Sequence, residues 1–184
     1  MNIVAISGSL RAASINSAVC RLATRLAPPV LRVSVFEDLE DLPLFNPDLE
    51  ASPPETVRRW RATVDAADAL LIASPEYAHG ISGVMKNALD WLVSFEGTVG
   101  KPVALVNAAP RAHHADAALR EVLRTMSAEI VADASQTLPL AGHCTTEAAM
   151  LAQPDVCRAL EDLLAALLRH LRGEGGAGPS FPLA

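Results

Sequence analysis

Features that would direct a chain to an oxidising compartment or a membrane are scarce in this sequence. Its 184 residues include three cysteines, Cys20, Cys144 and Cys157, an odd number whose spacing gives no disulfide framework. No basic segment precedes an apolar run as in a signal peptide, and no apolar run is long enough to cross a bilayer. We therefore expect reduced thiols, a cytoplasmic location and no membrane partner.

Basic charge and aromatic residues are also in short supply. The net charge of -6 argues against nucleic acid as a partner, because a phosphate backbone requires a basic face. Aromatic residues make up 4% and apolar residues 51% of the chain, which predicts a core of Leu, Val, Ile and Ala. The first turn lacks a P-loop and a Gly-x-Gly-x-x-Gly motif, and no catalytic triad is evident. These absences argue against an ATPase, a Rossmann dehydrogenase and a hydrolase.

Apolar runs and amphipathic stretches alternate along the chain. Strands are predicted at 3–6, 31–36, 69–73, 102–106 and 129–132, the last continuing near 137–138. Helices are predicted at 15–26, 53–67, 81–92, 115–126 and 154–171, with 37–54 mostly loop. Ser52 is expected to cap the second helix, with Pro53 in its first turn and Glu55 as the capping partner.

This alternation predicts an α/β fold, doubly wound and flavodoxin-like. Five parallel strands would form one sheet in the order 2-1-3-4-5, with helices on both faces. The domain is expected to span residues 1–172. The Gly- and Pro-rich residues 173–184 are expected to form a mobile tail.

The turn after the first strand, residues 7–17, is crowded with hydroxyl groups. It opens a helix, whose positive end and free backbone N–H groups favour an anion. Ser9, Ser14 and Ser17 offer hydroxyl donors, and Arg11 offers a planar cation. Considered alone, the stretch fits a phosphate cradle and a plain helix cap at Ser14 or Asn16 equally well.

A second unusual loop, Ser-Pro-Glu-Tyr-Ala-His-Gly at 74–80, follows the third strand. In the order 2-1-3-4-5 the first and third strands are neighbours, so the two loops meet where such sheets bind ligands. Pro75 stiffens this loop, and Tyr77 offers a flat ring with a polar tip. A planar ring system beside a phosphate would suit both loops, which favours the phosphate cradle.

The two loops, with Lys86-Asn87-Ala88-Leu89-Asp90-Trp91, resemble the NADPH-dependent FMN reductase family. These flavodoxin-like flavoproteins include quinone, chromate and azo-dye reductases, and the resemblance spans about residues 1–131. It implies that the first loop holds the FMN phosphate and the second wraps the isoalloxazine ring. The residues so implied are Ser9, Arg11, Ser14, Ile15, Asn16 and Ser17 in the first loop, and Pro75, Glu76, Tyr77, Ala78 and His79 in the second.

The resemblance also implies an FMN-dependent NAD(P)H oxidoreductase. NADPH, or NADH, would deliver hydride to FMN, and the electrons would pass to a quinone, another flavin or a similar small acceptor. Because the cofactor carries this chemistry, no catalytic acid, base or nucleophile is expected. A flavodoxin-type electron carrier and a non-enzymatic flavin-binding protein stay open as alternatives.

The family further implies a homodimer or homotetramer with the flavin near a subunit interface. The apolar group formed by Trp91, Leu92 and Phe95 would serve either such an interface or packing within the subunit. Lys86, Asn87 and Asp90 would either support the neighbouring loop or belong to a partner surface.

Two places depart from the family pattern. Ala78 stands where many members have Asn, and His79 is a candidate replacement for the lost polar contact. The turn 107–114 lacks the glycines that allow a close backbone approach, so its contact with flavin is left open. Arg111 in that turn is a candidate for the 2′-phosphate of NADPH, with a solvated arginine as the alternative.

Histidine and cysteine positions do not suggest a metal site. His113 and His114 are adjacent in sequence, as are His143 and Cys144, and no spaced pair of ligands accompanies them. We therefore expect surface or helix-capping histidines and no bound metal.

Overall fold

The apolar runs form the strands of a central sheet. The computed structural model describes residues 1–109, 113–140 and 144–174. Its strands are β1 (Asn2–Ser7), β2 (Arg32–Phe36), β3 (Ala69–Ala73), β4 (Glu76–Tyr77), β5 (Gly80–Ile81), β6 (Pro102–Asn107), β7 (Glu129–Ile130) and β8 (Gln136–Thr137).

Helices connect these strands and cover the sheet. They are α1 (Ile15–Leu26), α2 (Glu55–Asp65), α3 (Gly83–Asp90), α4 (His113–Thr125), α5 (Glu147–Leu151) and α6 (Pro154–Leu171). Short 3₁₀ turns lie at Asp38–Asp41, Pro47–Leu49, Glu96–Thr98 and Ala132–Ala134.

The main sheet is parallel and runs β2-β1-β3-β6-β7, with β8 also paired to β6. The predicted order 2-1-3-4-5 is therefore confirmed, with β7 and β8 sharing the fifth position. A 3₁₀ turn separates the two short strands, and the Ser135 hydroxyl fills the gap in the ladder. It accepts a hydrogen bond from the Leu105 N–H at 3.0 Å and donates one to the Val131 carbonyl at 2.8 Å.

Side chains on opposite faces of the sheet form two apolar cores. Every residue of β3 is buried, as expected for a central parallel strand. Leu71 faces the core shared with α1, α5 and α6, whereas Leu70 and Ile72 face the one shared with α2, α3 and α4. The second and last predicted helices, α2 and α6, supply buried side chains to these cores, among them Val57, Trp60, Val64, Val156, Leu160, Leu163, Leu164 and Leu167.

Some helix boundaries differ from the prediction. The helix α2 begins at Glu55, with Pro54 rather than Ser52 at the cap position. The prediction was wrong because a residue before proline is disfavoured in helical geometry, so Pro53 cannot open the helix. Ile81 lies in β5, and α3 begins after it at Gly83, with the Ser82 hydroxyl as its cap.

Two further differences lie near the carboxyl end of the sheet. His113 and His114 belong to α4 rather than to the turn that the sequence suggested. The short helix α5 was not predicted, and its N-cap is Thr146, whose hydroxyl accepts from the Ala149 N–H at 3.2 Å.

The apolar group after α3 packs within the chain. Trp91 and Leu92 are 0% exposed, and the Trp91 indole N–H donates to the Pro43 carbonyl at 2.7 Å. Asn87 holds the same loop, since its Oδ1 accepts from the Phe45 N–H at 2.8 Å. Of the two roles considered for Trp91 and Leu92, packing within the subunit is the one observed. Asn87 supports this loop, residues 42–45, and not the one at 74–80.

All three cysteines are free thiols, as predicted. Cys20 and Cys144 are buried, and burial raises the pKa of Cys20 to about 12. Cys157 is partly exposed, and its thiol contacts the carbonyl groups of Met150 and Leu151.

Among the helices within the described ranges, none combines the length and apolar character that crossing a membrane requires. The last helix, α6, ends at Leu171 with Arg172 at the cap position. The domain boundary at 172 and the mobile tail stay predictions. Most of that tail, from residue 175 onward, lies outside the described residues.

Candidate functional site

The loops after β1 and β3 meet at Gly8. The Gly8 N–H donates to the Ala73 carbonyl at 2.8 Å, which extends the pairing of β1 with β3 by one residue. A Cβ atom at position 8 would lie 2.4 Å from the Ser74 hydroxyl oxygen and 2.9 Å from the Ser74 Cβ. Glycine is therefore required here by the close approach of the two loops.

Hydroxyl groups cross-link the first loop, residues 7–17. The Ser14 hydroxyl caps α1 by accepting from the Ser17 N–H at 3.2 Å. The hydroxyls of Ser7 and Ser17 are hydrogen-bonded at 2.8 Å, and the Ser7 hydroxyl also accepts from the Ser9 N–H at 3.3 Å. The helix cap suggested by the sequence is thus present, at Ser14. It does not exclude a ligand site, because Ser14 also borders a cleft.

The second loop folds into a β-hairpin. Strands β4 and β5 are antiparallel and are joined by Ala78 and His79, whose φ angles are 49° and 59°. A two-residue turn with both residues left-handed is usually Asn-Gly. Neither alanine nor histidine signals such a turn, so the hairpin could not be recognised from the sequence.

The hairpin is fastened to the start of α4. The Ala115 N–H donates to a Glu76 carboxylate oxygen at 2.9 Å. This bond lowers the pKa of the Glu76 carboxyl, as do the His114 N–H and the nearby imidazoles of His114 and His79, against an opposing effect of desolvation. The His79 ring stacks on the His114 ring, with centroids 4.4 Å apart. Glu76 thus joins the hairpin to the first turn of α4.

A cleft of about 320 Å³ lies between the two loops. The predicted site residues that border it are Ser9, Arg11, Ser14, Ile15, Asn16, Pro75 and Tyr77, joined by Ala13 and Thr145. Arg11 is the charged side chain among these described lining residues. Tyr77 is 56% exposed at the rim. The expected meeting of the two loops at the carboxyl edge of the sheet is therefore observed.

Four predicted site residues lie outside the lining of this cleft. Glu76 turns its carboxylate to α4, while Ala78 and His79 form the tip of the hairpin. Ser17 borders a smaller cleft of about 190 Å³ on the other side of the first loop. Its hydroxyl is engaged with Ser7 and with the Ser9 carbonyl.

Asn16 has an unmet hydrogen-bonding atom beside the cleft. The residue is 4% exposed, and its Oδ1 has no hydrogen-bond partner among the described residues. A buried acceptor without a donor costs stability. Such groups concentrate at sites that a ligand or an ordered water completes.

Thr145 is a lining residue that the sequence did not reveal. It lies in the connection before α5, far along the chain from both loops, and no motif marks it. Hydroxyl residues are common at helix caps, and the neighbouring Thr146 has that role. The position of Thr145 in the cleft depends on how the last helices pack against α1.

The remaining candidates are only partly described. In the turn after β6, the Asn107 side chain accepts from the Ala109 N–H at 2.9 Å. Arg111 and His143 lie outside the described residues. Within the described ranges, no group of three or more His, Cys, Asp or Glu side chains could hold a metal ion.

The sheet order defines a flavodoxin-like α/β protein, and the cleft lies at its switch point, beside the loops that follow β1 and β3. The family model for NADPH-dependent FMN reductase matches residues 1–142, and the chain belongs to this family. The resemblance expected from the two loops is confirmed.

Bacterial relatives of the chain are named as an FMN reductase and a quinone reductase. The chain is 41% identical over 111 residues to an NAD(P)H-dependent FMN reductase of Pseudomonas aeruginosa, covering 59% of this chain and 60% of the relative. It is 40% identical over 115 residues to a quinone reductase of Pseudomonas putida, covering 60% and 61%. The match thus spans about 60% of the length of these curated relatives.

A solved structure matches over nearly the whole chain. The flavoenzyme NAD(P)H:(acceptor) oxidoreductase FerB from Paracoccus denitrificans superposes with a TM-score of 0.77 at 25% identity. The superposition covers 94% of this chain and 97% of that one.

Proposed function

We propose that the protein is an FMN-dependent NAD(P)H oxidoreductase. It takes hydride from NADPH or NADH onto bound FMN and passes the electrons to a quinone or a similar small acceptor. The observation that carries this proposal is the cleft in which the hydroxyl-rich loop with Arg11 faces the hairpin with Tyr77. The names of the relatives support the choice of donor and acceptor.

The residues of the cleft fit FMN. Arg11, Ser9 and the first turn of α1 supply the cation, hydroxyl and N–H donors that a phosphate monoester needs. Asn16 has an unmet acceptor beside them, and the ribityl chain of FMN offers hydroxyl donors. Pro75 and the exposed ring of Tyr77 give a stiff, flat wall on the opposite side.

In this proposal the chain binds and orients, and it does no acid–base chemistry of its own. When bound, FMN supplies the hydride-accepting and electron-donating chemistry. Arg11 and the N-terminal end of α1 neutralise the phosphate. Gly8 keeps the two loops together, and Glu76 holds the hairpin through α4. Among the described lining residues, none is assigned the role of catalytic acid, base or nucleophile.

Two further parts of the proposal concern the assembly, which rests on the family alone, and the location. We propose a homodimer or homotetramer, although Trp91 and Leu92 cannot supply its surface because they are buried within the chain. We also propose a cytoplasmic location, which is consistent with three free thiols.

The direct test is spectroscopic. The purified protein is supplied with FMN, freed of excess flavin and titrated with NADPH under anaerobic conditions. Retention of a flavin spectrum that NADPH bleaches, followed by steady NADPH oxidation with a quinone, supports an oxidoreductase. No retained flavin contradicts the proposal. Bound flavin that NADPH leaves oxidised favours the non-enzymatic alternative.

Replacing Arg11 tests the phosphate site. Arg11→Ala should weaken FMN binding by about tenfold to a hundredfold, because a hydrogen-bonded charge contact is lost. Arg11→Lys should fall between the two proteins, because it keeps the charge but loses the planar donor fork. Arg124→Ala, an exposed arginine in the last turn of α4, is the matched control. Unchanged FMN affinity in Arg11→Ala would remove Arg11 from the site.

A further inference from the structure

One wall of the cleft comes from a part of the chain that the family match does not reach. The match ends at residue 142, whereas Thr145 borders the same cleft as Ser14 and Asn16. Thr145 is exposed. The two loops therefore supply only part of the lining of the cleft.

The residues on either side hold Thr145 in place. Cys144 is 1% exposed and belongs to the core shared with α1. Thr146 caps α5, so its hydroxyl is occupied at the helix end. Thr145 thus lies between a buried side chain and a helix cap, which limits its freedom to move.

An ion-pair cluster ties this segment to α1. A Glu147 carboxylate oxygen lies 3.0 Å from Arg25 Nη1, and the other lies 3.6 Å from Arg21 Nε. Met150, one turn further along, is buried in the core beside α1. The segment that carries Thr145 is therefore anchored to the helix whose first turn forms the proposed phosphate cradle.

We propose that Thr145 is a further cofactor-binding residue, whose hydroxyl donates a hydrogen bond to the phosphate end of FMN. This inference rests on the proposed function. A phosphate monoester carries nearly two negative charges and three acceptor oxygens. Arg11 is the charged group among the described lining residues, so neutral donors must complete the set. Thr145 shares the cleft with Ser14, Ile15 and Asn16, at the end of α1 that favours an anion.

The experiment measures FMN binding by quenching of flavin fluorescence. Thr145→Val removes the hydroxyl at nearly constant shape, and Thr145→Ala removes it without the branched side chain. Both should bind FMN about tenfold more weakly, whereas Thr145→Ser should restore most of the affinity. The control is Thr125→Val, because the Thr125 hydroxyl donates to the Val122 carbonyl near the end of α4, on an element that does not border the cleft.

Riboflavin lacks the phosphate, so comparing its affinity with that of FMN distinguishes a contact to the phosphate from a contact to the rest of the flavin. If Thr145 contacts the phosphate, the affinity for riboflavin should change less than about twofold in Thr145→Val. An equal loss for riboflavin and FMN, or unchanged FMN affinity in both variants, would overturn the inference. If the unaltered protein itself fails to bind FMN, it is the proposed function that is contradicted.

Discussion

At the scale of single residues, Gly8 decides whether the two halves of the site can meet. It is part of the β1–β3 pairing through its N–H, and it faces Ser74 without space for a methyl group. The Ser82 hydroxyl oxygen would lie 3.0 Å from a Cβ at the same position, so an added methyl group has little space to shift toward Ser82. A methyl group at position 8 would therefore push the two loops apart.

We expect Gly8→Ala to lower stability by about 1–3 kcal/mol, because a methyl group is forced into a closely packed contact. FMN binding should weaken as well, since the first loop and the hairpin are pushed apart. Thermal unfolding and FMN titration measure the two effects. Gly83→Ala is the control, because a Cβ at that position meets no atom within 4 Å.

A second substitution tests whether the contact with Ser74 causes the loss of stability in Gly8→Ala. Ser74→Gly removes the atoms nearest to the added methyl group. The double variant Gly8→Ala with Ser74→Gly should therefore lose less stability than the sum of the losses in the two single variants. Additive losses would show that the cost at position 8 arises elsewhere.

At the scale of elements, the hairpin β4–β5 holds an unfavourable turn. Ala78 and His79 both adopt left-handed backbone geometry, which costs an ordinary residue roughly 1–2 kcal/mol. Contacts outside the turn offset this cost, namely the bond from Ala115 to Glu76 and the stacking of His79 on His114.

Ala78→Asn should therefore raise the free energy of unfolding by about 0.5–1 kcal/mol, because asparagine tolerates left-handed geometry better than alanine. Ala117→Asn, an exposed position inside α4, makes the same chemical change in a helix and should lower stability by about half a kcal/mol. Denaturant unfolding compares them. A loss of stability in Ala78→Asn equal to that in Ala117→Asn would contradict the assignment of strain to the turn.

The bond between the hairpin and α4 should depend on pH. The pKa of Glu76 is lowered in the folded protein, so its ionised carboxylate contributes stability above the unfolded pKa of about 4.3, and this contribution is lost as the pH falls through the lower folded value. Glu76→Gln should melt at a lower temperature than the unaltered protein at about pH 7, and the difference should narrow below about pH 4. Glu161→Gln, exposed on α6, is the control, and a difference that does not vary with pH would contradict an electrostatic origin.

At the scale of the whole molecule, the features predicted from the sequence are those set by hydrophobic pattern and strand order. Continuous apolar runs such as 69–73 identify buried parallel strands, and their order brings the two loops together. Contacts that depend on side-chain direction were not predictable. Glu76 and Tyr77 are neighbours in the loop after β3, yet the Glu76 carboxylate accepts a hydrogen bond from α4 while Tyr77 borders the cleft. Thr145 reaches the cleft only through the packing of α5 on α1.

The whole fold also needs residues beyond the family match. The helices α5 and α6 place Met150, Leu160, Leu163 and Leu167 in one core at 0% exposure. Each contributes about 1.5–3 kcal/mol, so losing them removes most of a typical stability of about 5–15 kcal/mol. A chain ending at 142 should not fold, whereas one ending at 174 should unfold cooperatively near the temperature of the full chain. Circular dichroism during heating distinguishes these outcomes, and cooperative unfolding of the shorter chain would contradict this reasoning.

The burial of the thiols has a chemical consequence for a protein proposed to meet quinones. Quinones are electrophiles that alkylate thiolates, and the thiolate is the reactive form of cysteine. Cys20, with a pKa of about 12 and no exposed surface, is almost entirely protonated at neutral pH and out of reach. Cys144 is buried as well, which leaves the partly exposed Cys157 as the position where damage by the substrate would begin.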